Sequence, residues 1–196
     1  MVKFFPEDAP APQRLETDRF IIRWLTPTDA EMDYEAIREA MPYYMKINPA
    51  DWRDQTFSLE DNREEMFRHE RENHAKEAFT FIVTTVDGTR SYGCVYVCEL
   101  LSLMRSGGAP QEDLDAIGDY ECQVHLFITP SGIESGIDEE VVRSMMKWLD
   151  EDWPFSRWVF QADAADTRLC EMLEGVGLDR THDLKGGRWA VYARAA

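Results

Sequence analysis

Lysine is scarce in this 196-residue chain, basic charge is in deficit, and long apolar runs are missing. Arg and Lys together number 21 against 38 Asp and Glu, a formal charge of −17 at pH 7. That balance argues against a broad basic face for nucleic acid, because phosphate contacts need clustered Lys and Arg. It argues equally against adhesion to an anionic membrane surface. A cationic ligand is drawn to such a field, whereas a polyanion needs a local positive site. No stretch reaches the roughly 18 apolar residues that would cross a membrane. Met1 to Gln13 is broken by Pro6, Pro10 and Pro12 and carries Glu7 and Asp8, so it lacks the apolar segment of a secretory signal. The four cysteines, Cys94, Cys98, Cys122 and Cys170, match neither a CxxC pair nor a zinc ribbon. Reduced thiols in a cytoplasmic protein are expected, with no metal site. His69 and His74 lie five positions apart and do not stack as a helical ligand pair would.

What is present is enough for a core: 44% of residues are hydrophobic and 12% aromatic. The length fits one domain, here residues 14–196, behind a flexible N-terminal arm, 1–13. Phe20 to Leu25 reads as a strand. Thr28 or Asp29 can then cap a helix that Pro42 ends near Met41. Ser58 to Asp61 has capping-box spacing for a second helix, to about His74. Phe79 to Val86 and Tyr92 to Leu101 form a hairpin across Asp87-Gly88. Ser102 to Asp119 is a long Gly-rich, acidic loop of the kind that carries function or interaction, and it is a candidate homodimer face. In the strand Glu121 to Thr129, Cys122, Val124, Leu126 and Ile128 share one face, and Glu121, Gln123, His125 and Phe127 the other. Pro130 ends it, and a turn leads into an amphipathic helix from Ile137 to Asp150. Arg157 to Ala162, a helix from Asp166, and a closing hairpin complete the chain. The order gives a mixed α/β layer, with a strand–helix–strand crossover among antiparallel hairpins.

Four stretches resemble the GNAT N-acetyltransferase superfamily, nearest its ribosomal-protein N-terminal acetyltransferase branch. Leu15-Glu16-Thr17-Asp18-Arg19-Phe20-Ile21-Ile22-Arg23 followed by Leu25 to Ala30 is similar to the opening "LxTxRLxLRxLxxxDA". Tyr92-Gly93-Cys94-Val95 resembles "xIGxV". Val124 through Ile128, Pro130, Gly136 and Ile137 into Val141-Val142 resembles the cofactor strand, turn and helix. Asp166 to Leu178 resembles "NxxSxxxxExxGF". The resemblance covers most of residues 15–194. It implies a mostly antiparallel sheet of six to seven strands, flanked by about four helices and splayed at the central parallel pair. Acetyl-CoA as co-substrate and a small-molecule or peptide amine as acceptor follow from it too.

In the family, pantetheine pairs with the splayed strand and pyrophosphate sits on backbone N–H groups at the following helix N-terminus. Carried onto this chain, the cofactor-binding positions are Phe127, Ile128, Thr129, Ile133, Ser135, Gly136, Ile137, Asp138 and Asp166. The family writes the turn Q/R-x-x-G-x-G/A; here those positions hold Ile133, Gly136 and Asp138, and only Gly136 fits. A like charge close to a phosphate costs roughly 1 kcal/mol or more. Two readings stay open: the acids at 138–140 serve the helix dipole of a turn that holds no anion, or the backbone cradle survives with its carboxylates turned away. Asp138→Gly should then improve affinity for CoA. Leu169 stands where the family has Ser, and Leu173 where some members carry a proton-donating Tyr.

Acyl transfer needs a neutral amine, a route for its proton and donors at the oxyanion. Glu121 and His125, sharing a strand face, are the catalytic candidates; Glu99 is a third. Tyr43, Tyr44 and Trp52 are candidates to shape the acceptor pocket. The alternatives to an acetyltransferase are a GNAT-fold module that has lost CoA and binds a ligand or protein, and an interaction protein built on the 102–119 loop.

Overall fold

The computed structural model describes residues 4–49, 56–100, 104, 110–117, 120–184 and 187–194. Eight strands form one sheet: β1 (Arg14–Glu16), β2 (Phe20–Trp24), β3 (Ala78–Thr85), β4 (Ser91–Glu99), β5 (Cys122–Ile128), β6 (Trp158–Asp163), β7 (Asp179–Leu184) and β8 (Trp189–Ala193). Their spatial order is β1-β2-β3-β4-β5-β6-β8-β7. All neighbours are antiparallel except β5 and β6. The class is the one the resemblance implies. The eighth strand is β1, three residues too short to read by alternation, registered by Arg14↔Arg23 to Glu16↔Ile21.

The described residues include six α-helices: α1 (Ala30–Ile47), α2 (Leu59–Ala75), α3 (Gln111–Ile117), α4 (Pro130–Glu134), α5 (Ile137–Asp152) and α6 (Thr167–Gly175). The buried positions of α5 include Ile137, Val141, Met145, Trp148 and Leu149, a helical stripe that packs on one sheet face against Phe81, Val95, Val124 and Phe160. On the other face, Ala30, Ala36, Ile37 and Ala40 of α1 meet Ile82, Cys94 and Phe127. A smaller apolar cluster joins Ile117 of α3 to Val159, Leu184 and Val191. No helix among the described residues is long and apolar enough to cross a membrane.

One expectation is corrected. Pro42 does not end α1; the helix runs on to Ile47. Proline removes one backbone bond to the preceding turn, but Tyr43 and Tyr44 beyond it are anchored by hydrogen bonds to distant elements. Ahead of β1, Phe4, Ala9 and Ala11 pack against the core, while Pro6, Glu7, Asp8 and Pro10 are exposed. Phe5 is 1% exposed and stands edge-on to Phe79 and Trp153, burial worth on the order of 2 kcal/mol.

One local signal acts as read, and two further contacts fix the sheet; Asp29 stands at the N-cap of α1 but makes no side-chain cap bond there. Ser58 and Asp61 form the reciprocal capping box of α2. Arg23 grips Asp29 through two bonds of 2.8 and 2.6 Å, tying β2 to the start of α1. Gly93 has φ +135°, and a Cβ there would lie 2.0 Å from the Phe127 carbonyl oxygen. β4 can therefore approach β5 this closely only with glycine.

Candidate active site

The cleft originates in β5. Its parallel pairing with β6 covers only Cys122↔Trp158, Gln123↔Val159 and Val124↔Phe160. Its antiparallel pairing with β4 continues to Gly93↔Ile128. Beyond Val124 the β6-facing edge of β5 is therefore open. A cleft of about 400 Å³ occupies the divergence, lined by His125 and Phe127 from β5, Gln161 and Asp163 from β6, and Tyr44 from α1. The hydroxyl of Tyr44 enters from α1, donating to the Ile128 carbonyl (3.2 Å) and accepting from the Ile128 N–H (3.0 Å). A side chain thus satisfies main-chain groups that a neighbouring strand would otherwise pair.

His125 lies in the cleft wall, its ring stacked on Tyr96 at 4.6 Å and 8°. Its Nδ1 is buried with no hydrogen-bond partner. Burial, with His69 nearby, pulls its pKa down to about 4, so the imidazole is neutral at pH 7. Glu121 is elsewhere. It precedes β5, and its carboxylate accepts from Ser156 N–H (2.6 Å), Ser156 hydroxyl (2.8 Å) and Arg157 N–H (3.1 Å), pinning the approach to β6. Glu99 ends β4 opposite Cys122 and does not line the cleft. Tyr43 and Tyr44 stand on α1; Trp52 lies outside the described residues, as do 102–103, 105–109 and 118–119 of the long loop, whose 111–117 form α3.

After β5 the chain folds into α4. Thr129 caps it, its hydroxyl accepting from Gly132 N–H (3.3 Å), while Ile133 N–H bonds to the Thr129 carbonyl (2.9 Å). The first N–H of that helix, from Ser131, is taken by Glu39 of α1 at 3.0 Å. Burial opposes ionisation of Glu39, but Ser131 and Arg90 outweigh it and hold its pKa below the ordinary carboxylate value. Ser135 gives its carbonyl to Arg19 at 2.8 Å. Gly136 then adopts φ +74°, with nothing within 4 Å of where a Cβ would sit. This left-handed residue is the N-cap of α5, and no side chain caps the first turn.

Asp138 does not project into solvent. It is 3% exposed and paired with Arg168 of α6 at 2.5 Å. Glu140 pairs with Arg19, and Glu139 with Arg143 at 2.9 Å. The acids of this turn are thus matched by arginines, and the uncapped backbone donors face no uncompensated carboxylate from that set. A glycine with open space, uncapped donors and a free strand edge together fit a pantetheine arm and a diphosphate.

Arg168 also donates to the Tyr43 hydroxyl (3.2 Å), which donates to Asp166 (3.5 Å). Asp166 caps α6 through Leu169 N–H (3.0 Å) and is 4% exposed, with burial pushing its pKa up. It lines the cleft with Asp163, whose carboxylate is held by Asn48 (2.8 Å) and Ala165 N–H (2.9 Å). Leu173 is fully buried in the core, so no hydroxyl replaces the missing tyrosine there. Asp163, Asn48, Gln161, Glu39 and Arg168 were not singled out from the sequence. The one available signal was Arg168, a lone base beside Asp166 in an acidic chain.

No protein-family model matches the chain, and no curated protein matches it in sequence. Solved structures do. A Vibrio cholerae protein assigned as a ribosomal-protein-serine acetyltransferase superposes with TM-score 0.68 at 16% identity, covering 96% of this chain and 99% of its own. RimL, a ribosomal L7/L12 α-N-protein acetyltransferase in complex with coenzyme A, gives 0.66 at 11%, covering 93% and 97%. The microcin C7 self-immunity acetyltransferase MccE, in complex with acetyl-CoA and AMP, gives 0.65 at 12%, covering 92% and 94%. The likeness is one of fold: this is the GNAT acetyltransferase fold over nearly the whole chain.

Proposed function

We propose that this protein transfers an acetyl group from acetyl-CoA to a primary amine. The observation that carries the reading is the open edge of β5 beyond Val124, followed through the short α4 by the uncapped first turn of α5. The fold it shares with acetyltransferases supports the same reading. Main-chain groups of His125 to Ile128 would hold the pantetheine arm, with Tyr44 yielding its two bonds to Ile128. The N–H groups of Ile137, Asp138 and Glu139 would hold the diphosphate, with Gly136 giving it room. Acetyl-CoA supplies an activated carbonyl. The amine nitrogen bonds to that carbon, the C–S bond breaks, and sulfur leaves with the electron pair; the proton lost by nitrogen ends on sulfur.

His125 is the side chain in the cleft wall able to relay that proton. Neutral at pH 7, its imidazole can accept a hydrogen bond from the amine and pass a proton on without holding the charge, and it places no cation against an incoming ammonium. Glu121, tied to Ser156 and Arg157, acts on strand geometry instead. Asp166 serves the cleft through its charge and the α6 cap rather than as a diphosphate ligand.

The test is release of free thiol from acetyl-CoA with a panel of primary amines. Release that requires both protein and amine is expected. Its absence across cationic, neutral and peptide amines would overturn the reading in favour of a binding module.

A further inference from the structure

We propose that the cleft selects a diamine-class acceptor, holding one ammonium between Asp163 and Asp166 and presenting the second, neutral amine toward His125. This rests on the acetyl-transfer reading for the fate of the second amine, but not for the cation site itself. Both carboxylates line the cleft, and among the described residues no Lys or Arg does. Among the described residues neither forms an ion pair: Asp163 is held by an amide and a backbone N–H, and Asp166 by a backbone N–H and a phenol. Both bonds to Asp166 fall on Oδ1, and Oδ2 has no hydrogen-bond partner among the described residues. Arg168 reaches Asp166 only through Tyr43 and forms its ion pair with Asp138, so the two carboxylates keep acceptor capacity toward the cleft for a cationic partner from outside. They do not suit the amine that reacts, because a carboxylate beside it favours the ammonium, which is not a nucleophile.

The other end of the cleft differs. His125 is uncharged at pH 7, stacks on Tyr96, and keeps a buried Nδ1 without a partner. The last paired position is Val124↔Phe160, so His125 and Gln161 are the first residues beyond it, and Asp163 lies two residues further along β6. At about 3.3 Å per residue the two ends lie on the order of 7 Å apart, comparable to the span of a four-carbon diamine. An acceptor carrying its own carboxylate finds no cation in the lining and meets repulsion from both aspartates.

Three four-carbon probes separate the charges: 1,4-diaminobutane, n-butylamine and 4-aminobutanoate. Titrated calorimetrically into the full chain without acetyl-CoA, the diamine should bind about tenfold or more tighter than the monoamine, the increment of a charge-assisted bond. The amino acid should bind weakest. Asp163→Asn and Asp166→Asn, which preserve the bonds to Ala165 and Leu169 N–H, should bring the diamine-to-monoamine ratio close to one with an unchanged circular dichroism spectrum. Equal binding of all three probes by the wild type, or a ratio untouched in both variants, would overturn the proposal. Diamine preference without thiol release from acetyl-CoA would leave the cation site standing and remove the transfer reading. Thiol release that favours n-butylamine or 4-aminobutanoate would do the reverse.

Discussion

The two halves of β5 keep different company. From Cys122 to Val124 the strand has β4 on one side and β6 on the other. From His125 to Ile128 only β4 remains, and a tyrosine hydroxyl from α1 meets Ile128 at the open edge. The closed half builds the sheet. The open half keeps main-chain donors and acceptors within reach of a ligand, and it runs into a turn whose acids are matched by arginines. The proposed function rests on pairing that stops early, with the Tyr44 hydroxyl meeting Ile128 at the open edge and Arg168 matching Asp138 in the turn beyond.

That contrast can be broken most strongly at Arg168. Arg168→Ala strands the buried Asp138 carboxylate beside the turn. A loss of about 3 kcal/mol is expected on chemical denaturation, together with loss of measurable acetyl-CoA binding.

Next in size is the pH response of the open half. The pKa of His125 is lowered from 6.5 to about 4 in the folded chain. Between those values the unfolded chain binds the extra proton, so stability falls as pH drops through that window. The displacement corresponds to about 3 kcal/mol. His69, also lowered by burial and by Arg68, adds a change of the same sign. Denaturant midpoints from pH 7 to 4 should show a steep decline that His125→Gln flattens; an equal slope in the variant would remove His125 as its source.

Tyr44→Phe sharpens the comparison directly. It leaves both Ile128 main-chain groups without their partner while keeping the ring against Phe127. A cost of about 2 kcal/mol is expected in the free protein, and acetyl-CoA, no longer displacing a hydroxyl, should bind several-fold tighter. Asp138→Asn should tighten acetyl-CoA by about tenfold, or ~1.4 kcal/mol, because Arg168 is released to a diphosphate. The smallest effect belongs to the closed half. Gln123 is 1% exposed and neither amide atom has a partner, so Gln123→Met should raise stability by about 1 kcal/mol.

The sequence was most informative where structure depends on near neighbours. Seven strands follow from alternation and turn residues, the α2 cap from Ser58 and Asp61, and the start of α5 at Ile137 from the turn before it. It misled where distant contacts override local preference. Pro42 reads as a terminator, yet Tyr43 and Tyr44 are held by residues more than eighty positions away, and the helix continues. The site divides the same way. His125 and the turn were visible as a strand face followed by a glycine. Glu121 shares that face, but its carboxylate is claimed by Ser156 and Arg157. The Asp138–Arg168 pair and the Asp163–Asp166 lining join segments that no periodicity relates, so the charge of Asp138 was readable and its neutralisation was not.

Calorimetric titration of the wild-type chain with acetyl-CoA at low and moderate salt tests the central claim most directly. The account predicts one site in the micromolar range, about −8 kcal/mol. Affinity should hold or improve as salt screens the repulsion between a chain of charge −17 and an anionic ligand. No heat of binding at either salt would contradict it, leaving the open half of β5 without the ligand for which its geometry is suited.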